Sequence, residues 1–246
     1  RFAHDYNRRT VGAVQELLSR SEPRAAVSDA GSDTLPLAPL PGAAGTIPKF
    51  VIIASARTGS TTFADLLNTH PAVTCLAEPF NPEHGIKWGR KQYFQRLQNG
   101  APLYDVVGDI FAEHTGFKHL TEQLTVAQNE SLIRYPGIRR IFLWRQNHLQ
   151  RAVSNHISMQ SRHWRSDANK VMVTRFKPLD IDVLAKNIDK QKRLVERYRS
   201  LCKAAGCFEV AYEDLYGPVA DLGEQRQTLD NLFNYLGIDT LDRLPS

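Results

Sequence analysis

The residues Ser55-Ala56-Arg57-Thr58-Gly59-Ser60-Thr61-Thr62 follow an unbroken apolar run, Phe50-Val51-Ile52-Ile53-Ala54. A strand that breaks into a tight turn and then starts a helix leaves the helix's first amides without intrahelical acceptors, and the macrodipole adds positive potential there. Oxyanions bind at such ends. Ser60, Thr61 and Thr62 can add hydroxyl hydrogen bonds, Gly59 keeps a Cβ out of a ligand's path, and Arg57 can fork onto two oxygens. A helix capped by serine is the plainer reading of the same residues.

Two better-known phosphate loops are ruled out by spacing. The chain has no Gly, four residues, Gly-Lys-Ser/Thr at this place, and no GxGxxG opens the first helix. A second anion-binding position is Arg145, at the end of the apolar run 140–144, where open α/β sheets place their ligands. On the helix expected at 148–162, Arg151, Ser154 and Ser158 share one face, and Leu149, Ala152, Val153, His156, Ile157 and Gln160 share another. Arg145 and Ser154 are thereby able to meet one anion together. Between the two anion positions stands Leu76-Ala77-Glu78-Pro79-Phe80, in which Pro79 stops regular structure and leaves Glu78 at the sheet edge as a general base. The alternative for Glu78 is a structural ion pair with Arg57 or Lys118. Rival bases are His70, His84, His119 and His148, none within a matching local motif. Lys118 is placed either toward a ligand or in a strand-end ion pair.

The strand, Arg57-Thr58-Gly59-Ser60-Thr61-Thr62 and the helix resemble the phosphosulfate-binding loop of sulfotransferases that use 3′-phosphoadenosine 5′-phosphosulfate. The resemblance implies that Thr58, Gly59, Ser60, Thr61 and Thr62 hold the donor, while Arg57 neutralises charge building on the bridging oxygen. The segment Leu143-Trp144-Arg145-Gln146-Asn147-His148-Leu149-Gln150-Arg151-Ala152-Val153-Ser154 is similar to the 3′-phosphate-binding segment of that family, which implies a grip by Arg145 and Ser154. Its spacing looks closest to bacterial carbohydrate sulfotransferases acting on lipopolysaccharide, Nod factors and trehalose glycolipids. Their Gly-Glu-Pro-Phe-like segment carries the base, and Glu78 matches it, with Ala77 replacing the glycine. Tyr212-Glu213-Asp214-Leu215 and a closing Leu-Gly helix at 229–237 are further likenesses, with structural roles. The resemblance covers about residues 49–238.

What it implies is a P-loop-like sulfotransferase fold, a phosphosulfate donor without metal, and an acceptor hydroxyl on a glycan or glycolipid. No nucleic acid is expected, and a homo-oligomer is compatible. Two other readings stay open: a kinase-like phosphotransferase taking ATP and magnesium, and a non-catalytic nucleotide- or polyanion-binding module.

These side chains need a scaffold. Short apolar runs at 50–54, 73–76, 116–120, 140–144 and 207–212, alternating with helical segments, predict a three-layer α/β domain around a parallel sheet. The clearest helix is 183–205, with Leu184, Ile188, Val195, Tyr198, Leu201 and Cys202 in one stripe and Gly206 as its stop. Its basic cluster, Lys190, Lys192, Arg193, Arg197 and Arg199, reads as a solvated face. A catalytic domain is expected over 49–246, preceded at 1–48 by a helix (5–20) and a Pro/Ala/Ser-rich linker (21–48). The polar segment 161–180, with Trp164 and Phe176, is the candidate acceptor lid.

The 246 residues carry a formal charge of +5, which suits an anionic ligand without choosing one. Three cysteines without metal spacing fit buried thiols in a reducing compartment. A cytoplasmic location is expected; a removed N-terminal signal or anchor stays open.

Overall fold

A computed structural model describes residues 47–82, 91–161, 178, 180–217 and 221–240. The helix expected at 5–20, nearly all of the linker, His84, Trp164 and Phe176 lie outside the described residues. Five strands, β1 (Phe50–Ala54), β2 (Cys75–Ala77), β3 (Gly116–Leu120), β4 (Arg139–Trp144) and β5 (Phe208–Ala211), form one sheet in the order β2-β3-β1-β4-β5. Every pairing is parallel. The protein is therefore α/β, with a parallel sheet flanked by helices.

β1 is apolar throughout because it is covered on both faces: none of its five residues is more than 1 % exposed. Phe50, Ile52 and Ala54 point to the side of α1 (Ser60–Leu67) and its residues Phe63 and Leu67. Val51 and Ile53 point to the other side. There they meet Val106 and Ile110 of the helix Leu103–Glu113, Leu132 of the helix Val126–Ile133, and Tyr198 of the long helix Ile181–Ala204. In chain order the helices after α1 are α2 (Lys91–Gln98), α3 (Leu103–Glu113), α4 (Val126–Ile133), α5 (His148–Ser161), α6 (Ile181–Ala204), α7 (Tyr212–Tyr216) and α8 (Leu222–Leu236). Leu215 and Tyr216 of α7, and Leu229, Leu232 and Phe233 of α8, join α1 on its face. Right-handed crossovers explain the two layers: the step from β1 to β2 runs one way across the sheet and every later step runs the other way. Burial of each large β1 side chain is worth roughly 1.5–3 kcal/mol.

This strand order creates the site. The chain leaves β1 toward β2 and leaves β4 toward β5, in opposite directions, so a crevice opens beyond the C-terminal ends of β1 and β4. The loops carrying Arg57 and Arg145 meet there.

Some boundaries differ from the pattern reading. The strand expected at 73–76 is Cys75–Ala77, because Val73 is buried by packing rather than by strand pairing. The strand expected at 207–212 ends at Ala211, since Tyr212 opens α7 and the Asp214 carboxylate accepts the Ala211 N–H at 3.0 Å. α6 begins at Ile181, two residues before the apolar stripe, because Asp180 caps it by accepting from the Asp182 and Val183 amides. Among the described residues no helix is long and apolar enough to cross a membrane.

Candidate anion-binding site

Three arginines converge on the crevice. Arg145 and Arg151 are 7 % and 4 % exposed, and Arg57 is half-buried between them and the loop. Arg145 Nη1 donates to the Arg57 carbonyl at 3.2 Å, and its guanidinium lies 4.2 Å from the centre of the Tyr212 ring. Arg57 Nε donates to Ser154 Oγ at 3.0 Å. Burial first, and then repulsion from Arg145, push the Arg57 guanidinium below its usual range. Burial lowers Arg151 likewise, opposed by Glu122. Like charges held together out of water are costly unless carboxylates or a ligand anion join them, and such clusters are frequent at functional sites.

Two carboxylates answer these arginines. Glu213, on the first turn of α7, accepts from the Gln146 and Asn147 amides at 2.9 and 3.0 Å and lies 3.8 Å from Arg145 Nε. It shapes the loop after β4. Asn147 then caps α5 by accepting the Gln150 N–H at 2.8 Å. Glu122, in the short 3-10 turn Thr121–Gln123, reaches back to the first loop: both its oxygens accept the Ala56 N–H at 3.2 Å, and one accepts from Arg151 Nη2 at 3.1 Å. A carboxylate thus occupies a backbone donor of the loop read as an oxyanion cradle.

The loop is built from unusual backbone. Arg57 and Glu78 are the non-glycine residues with positive φ among the described residues, at 68° and 52°. Such conformations cost on the order of 1 kcal/mol each and cluster at functional sites. Gly59 has φ 78°, and a Cβ there would lie 2.6 Å from the Tyr212 ring. Its missing side chain makes room for Tyr212, a packing reason for glycine beside the expected clear path for a ligand. Thr58 Oγ1 is spent on the Ser55 carbonyl at 2.8 Å, tightening the turn. Ser60, Thr61 and Thr62 form the first turn of α1, with their amides at its open end.

Glu78 sits in a second cluster, joined to the loop through one lysine. Lys118 Nζ is 2.5 Å from Glu78 Oε1 and donates to Thr61 Oγ1 at 3.0 Å. Lys118 is 1 % exposed and Glu78 6 %. Asn81 and Gln123 donate to Glu78 Oε2 at 2.7 and 2.8 Å. Of the partners weighed for Glu78, then, Lys118 is the one it pairs with, and the pair lies beside the anion loop.

No family model matches the chain, and no curated protein matches it. The site is accordingly read from its own geometry.

The structure brings Arg57, Arg145 and Ser154 together, but with different partners from those drawn from spacing: Ser154 receives a bond from Arg57, and Arg145 holds the Arg57 carbonyl. α5 also turns the other way from a simple amphipathic helix. Arg151, Ser158 and Ser161 are buried, whereas Leu149 and Met159 are 55 % and 64 % exposed. Of the rival bases, His70, His119 and His148 are described, and none is well placed for the role. His119 is fully buried, its Nε2 bonded to Asn129 Oδ1 at 2.7 Å, and burial pushes its pKa down to about 4. His70 is buried, its Nδ1 accepting the Ala72 N–H at 3.2 Å. His148 is lowered by burial and by Lys192 and Arg151. Arg151 and Glu213 lie in segments whose likeness the sequence already showed, Glu213 with only a structural role expected, whereas Glu122 and Gln123 join the site with no motif, their only signal being polarity just past the end of β3. Cys75, Cys202 and Cys207 form no disulfide, and Arg197 and Arg199 of the basic cluster form exposed pairs with Glu130 and Glu209.

Proposed function

We propose that this protein is a sulfotransferase that moves the sulfuryl group of 3′-phosphoadenosine 5′-phosphosulfate to an acceptor hydroxyl of a carbohydrate or glycolipid. The observation that carries the reading is the Arg57–Ser154 hydrogen bond, which joins the loop after β1 to the helix after β4. These are the two segments that resemble the phosphosulfate and 3′-phosphate clamps. A donor with phosphate at both ends suits such a joined pair.

In the proposed reaction the acceptor oxygen forms a bond to sulfur while the bond from sulfur to the bridging phosphate oxygen breaks. The acceptor proton passes to the Glu78 carboxylate, and adenosine 3′,5′-bisphosphate leaves. Arg57 and the first-turn amides of α1 meet charge that develops on the leaving phosphate. Lys118, bonded both to Glu78 and to Thr61, holds base and donor loop in fixed relation while the carboxylate takes the acceptor's proton. The arginines balance the donor's charge, so no metal is assigned a role.

Lys118 also favours a second reading. A lysine reaching Thr61 from β3 supplies the cation that the loop itself lacks as a nucleotide-triphosphate cradle, in keeping with a phosphotransferase. Calorimetry separates the two: the sulfotransferase binds adenosine 3′,5′-bisphosphate without metal and prefers it to ATP. Tight binding of ATP with magnesium and none of the bisphosphate refutes the sulfotransferase reading.

A further inference from the structure

Beside this site lies a cavity of about 290 Å³, between α2 and the segment that runs from the 3-10 turn into α4. One wall is formed by Phe94, Leu97 and Gln98, and the other includes Glu122, Gln123 and Gln128. Its position links both halves of the site. Gln123 lines the cavity and donates to Glu78 Oε2 at 2.8 Å, so the cavity is one side chain from the Glu78–Lys118 pair. Glu122 lines it and holds Ala56 N–H and Arg151, so the cavity is also one side chain from the anion loop. A molecule seated here lies next to the base on one side and to the donor loop on the other.

The lining chemistry is narrow. Phe94 and Leu97 give an apolar face for a ring, and carboxamides hydrogen-bond hydroxyl groups as donors or acceptors. Gln128 spends its carbonyl on the Thr125 N–H at 3.0 Å, so the amide nitrogen is what it offers a ligand. Among the described residues no lysine or arginine lines the cavity, and the charged lining residue is Glu122. Arg151 offsets the Glu122 charge at 3.1 Å, so an anionic group entering there finds no free cation among the described lining residues to pair with. The volume stands at the lower end of ligand cavities and suits a single ring.

We infer that this cavity seats one uncharged, hydroxyl-bearing ring of the acceptor against Phe94, in preference to an anionic one, because its described lining offers carboxamides and a carboxylate already paired to Arg151. The word acceptor rests on the sulfotransferase reading; the preference for a neutral hydroxylated ring does not. It also separates the two ends of the site, the arginine crevice taking the anion and the carboxylate-lined cavity the neutral partner.

The test is calorimetric binding of 4-nitrophenyl β-glucoside and 4-nitrophenyl β-glucuronide to the full chain, with adenosine 3′,5′-bisphosphate titrated into the same preparations. The expected result is that the glucoside binds at least roughly tenfold more tightly than the glucuronide, that Phe94→Ala weakens it by about tenfold, and that Gln98→Ala weakens it less. Gln98 is exposed, so that variant remains informative should Phe94→Ala fold poorly. No glucoside binding, equal or tighter glucuronide binding, or wild-type affinity in both variants overturns the inference. If the bisphosphate binds normally while the glucoside ignores both substitutions, the cavity inference falls alone. If the glucoside pattern holds and no bisphosphate binds, the sugar cavity stands and the sulfotransferase reading falls.

Discussion

Arg57 Nε donates to Ser154 Oγ at 3.0 Å, across 97 residues of sequence, and so ties the turn after the central strand to the middle of α5. The bond holds a guanidinium that burial and Arg145 have made less willing to carry its charge. In the proposed donor site an arriving oxyanion would relieve that strain, so both residues are expected to matter for binding more than for folding. Ser154→Ala is expected to weaken adenosine 3′,5′-bisphosphate binding by about tenfold, and Arg57→Lys, which loses the fork, by roughly 10–100-fold. Calorimetry against the wild type is the measurement; unchanged affinity in both variants removes the pair from the donor site.

Glu122 competes with an incoming anion, since its carboxylate already sits on the Ala56 N–H and on Arg151. Glu122→Gln keeps an acceptor for the amide but removes the charge. Bisphosphate affinity is expected to rise by about 3–10-fold, most clearly at low ionic strength. Weaker binding in this variant shows instead that the carboxylate organises the loop.

The Glu78–Lys118 pair is buried, so removing either partner alone strands a charge. Lys118→Met is expected to lower stability by about 3–5 kcal/mol in urea unfolding, and the double variant Glu78→Gln/Lys118→Met to recover part of it. Glu78→Gln is the catalytic test, with a loss of about 10²–10⁴-fold in sulfate transfer at preserved bisphosphate affinity. Transfer that continues undiminished takes Glu78 out of the mechanism.

His119 makes stability depend on pH. Buried and neutral, it takes up no proton in the folded protein until about pH 4, whereas the unfolded chain is protonated below about 6.5. The unfolded state therefore binds more protons across this window, and stability falls as the pH drops from 6.5 to 4, by about 3 kcal/mol from this residue. In His119→Gln that share of the slope should vanish. Denaturant midpoints at pH 7 and 4.5 for both proteins report it; equal slopes refute the assignment.

Gly59 is irreplaceable for two reasons at once, its positive φ and the Tyr212 ring that a Cβ would strike. Gly59→Ala should cost at least about 1–2 kcal/mol from backbone conformation alone and abolish tight anion binding. Tyr212→Ala in the same background makes room and should restore part of the stability. Thermal unfolding of the three proteins is the check.

Much of this architecture was open to reading from local pattern. β1 and β3 stand where the short runs put them: β1 is apolar throughout because both its faces are covered, while β3 also buries Lys118 and His119, which Glu78 and Asn129 satisfy. Alternating runs and helices implied a parallel sheet, since the connections were long enough to cross it. The segments bearing Arg57, Glu78, Arg145 and Ser154 were legible because strand-to-helix turns punctuate the sequence with Gly, Pro and hydroxyl residues.

The order of the strands and the partners of the charged groups were not. α5 buries Arg151 and Ser158 and exposes Leu149, against its own amphipathic pattern, because the crevice beside β4 is polar. Gly59 faces an aromatic ring supplied more than 150 residues later. Glu122 and Gln123 carry no motif, yet they join the anion loop, the buried pair and the neighbouring cavity. By itself the sequence determined roughly where the strands and the strand-to-helix turns lie, since both follow from contacts within a few residues. Only the tertiary structure decided which charges share the crevice and which carboxylate lies on which amide, because those contacts depend on how distant strand ends are set side by side.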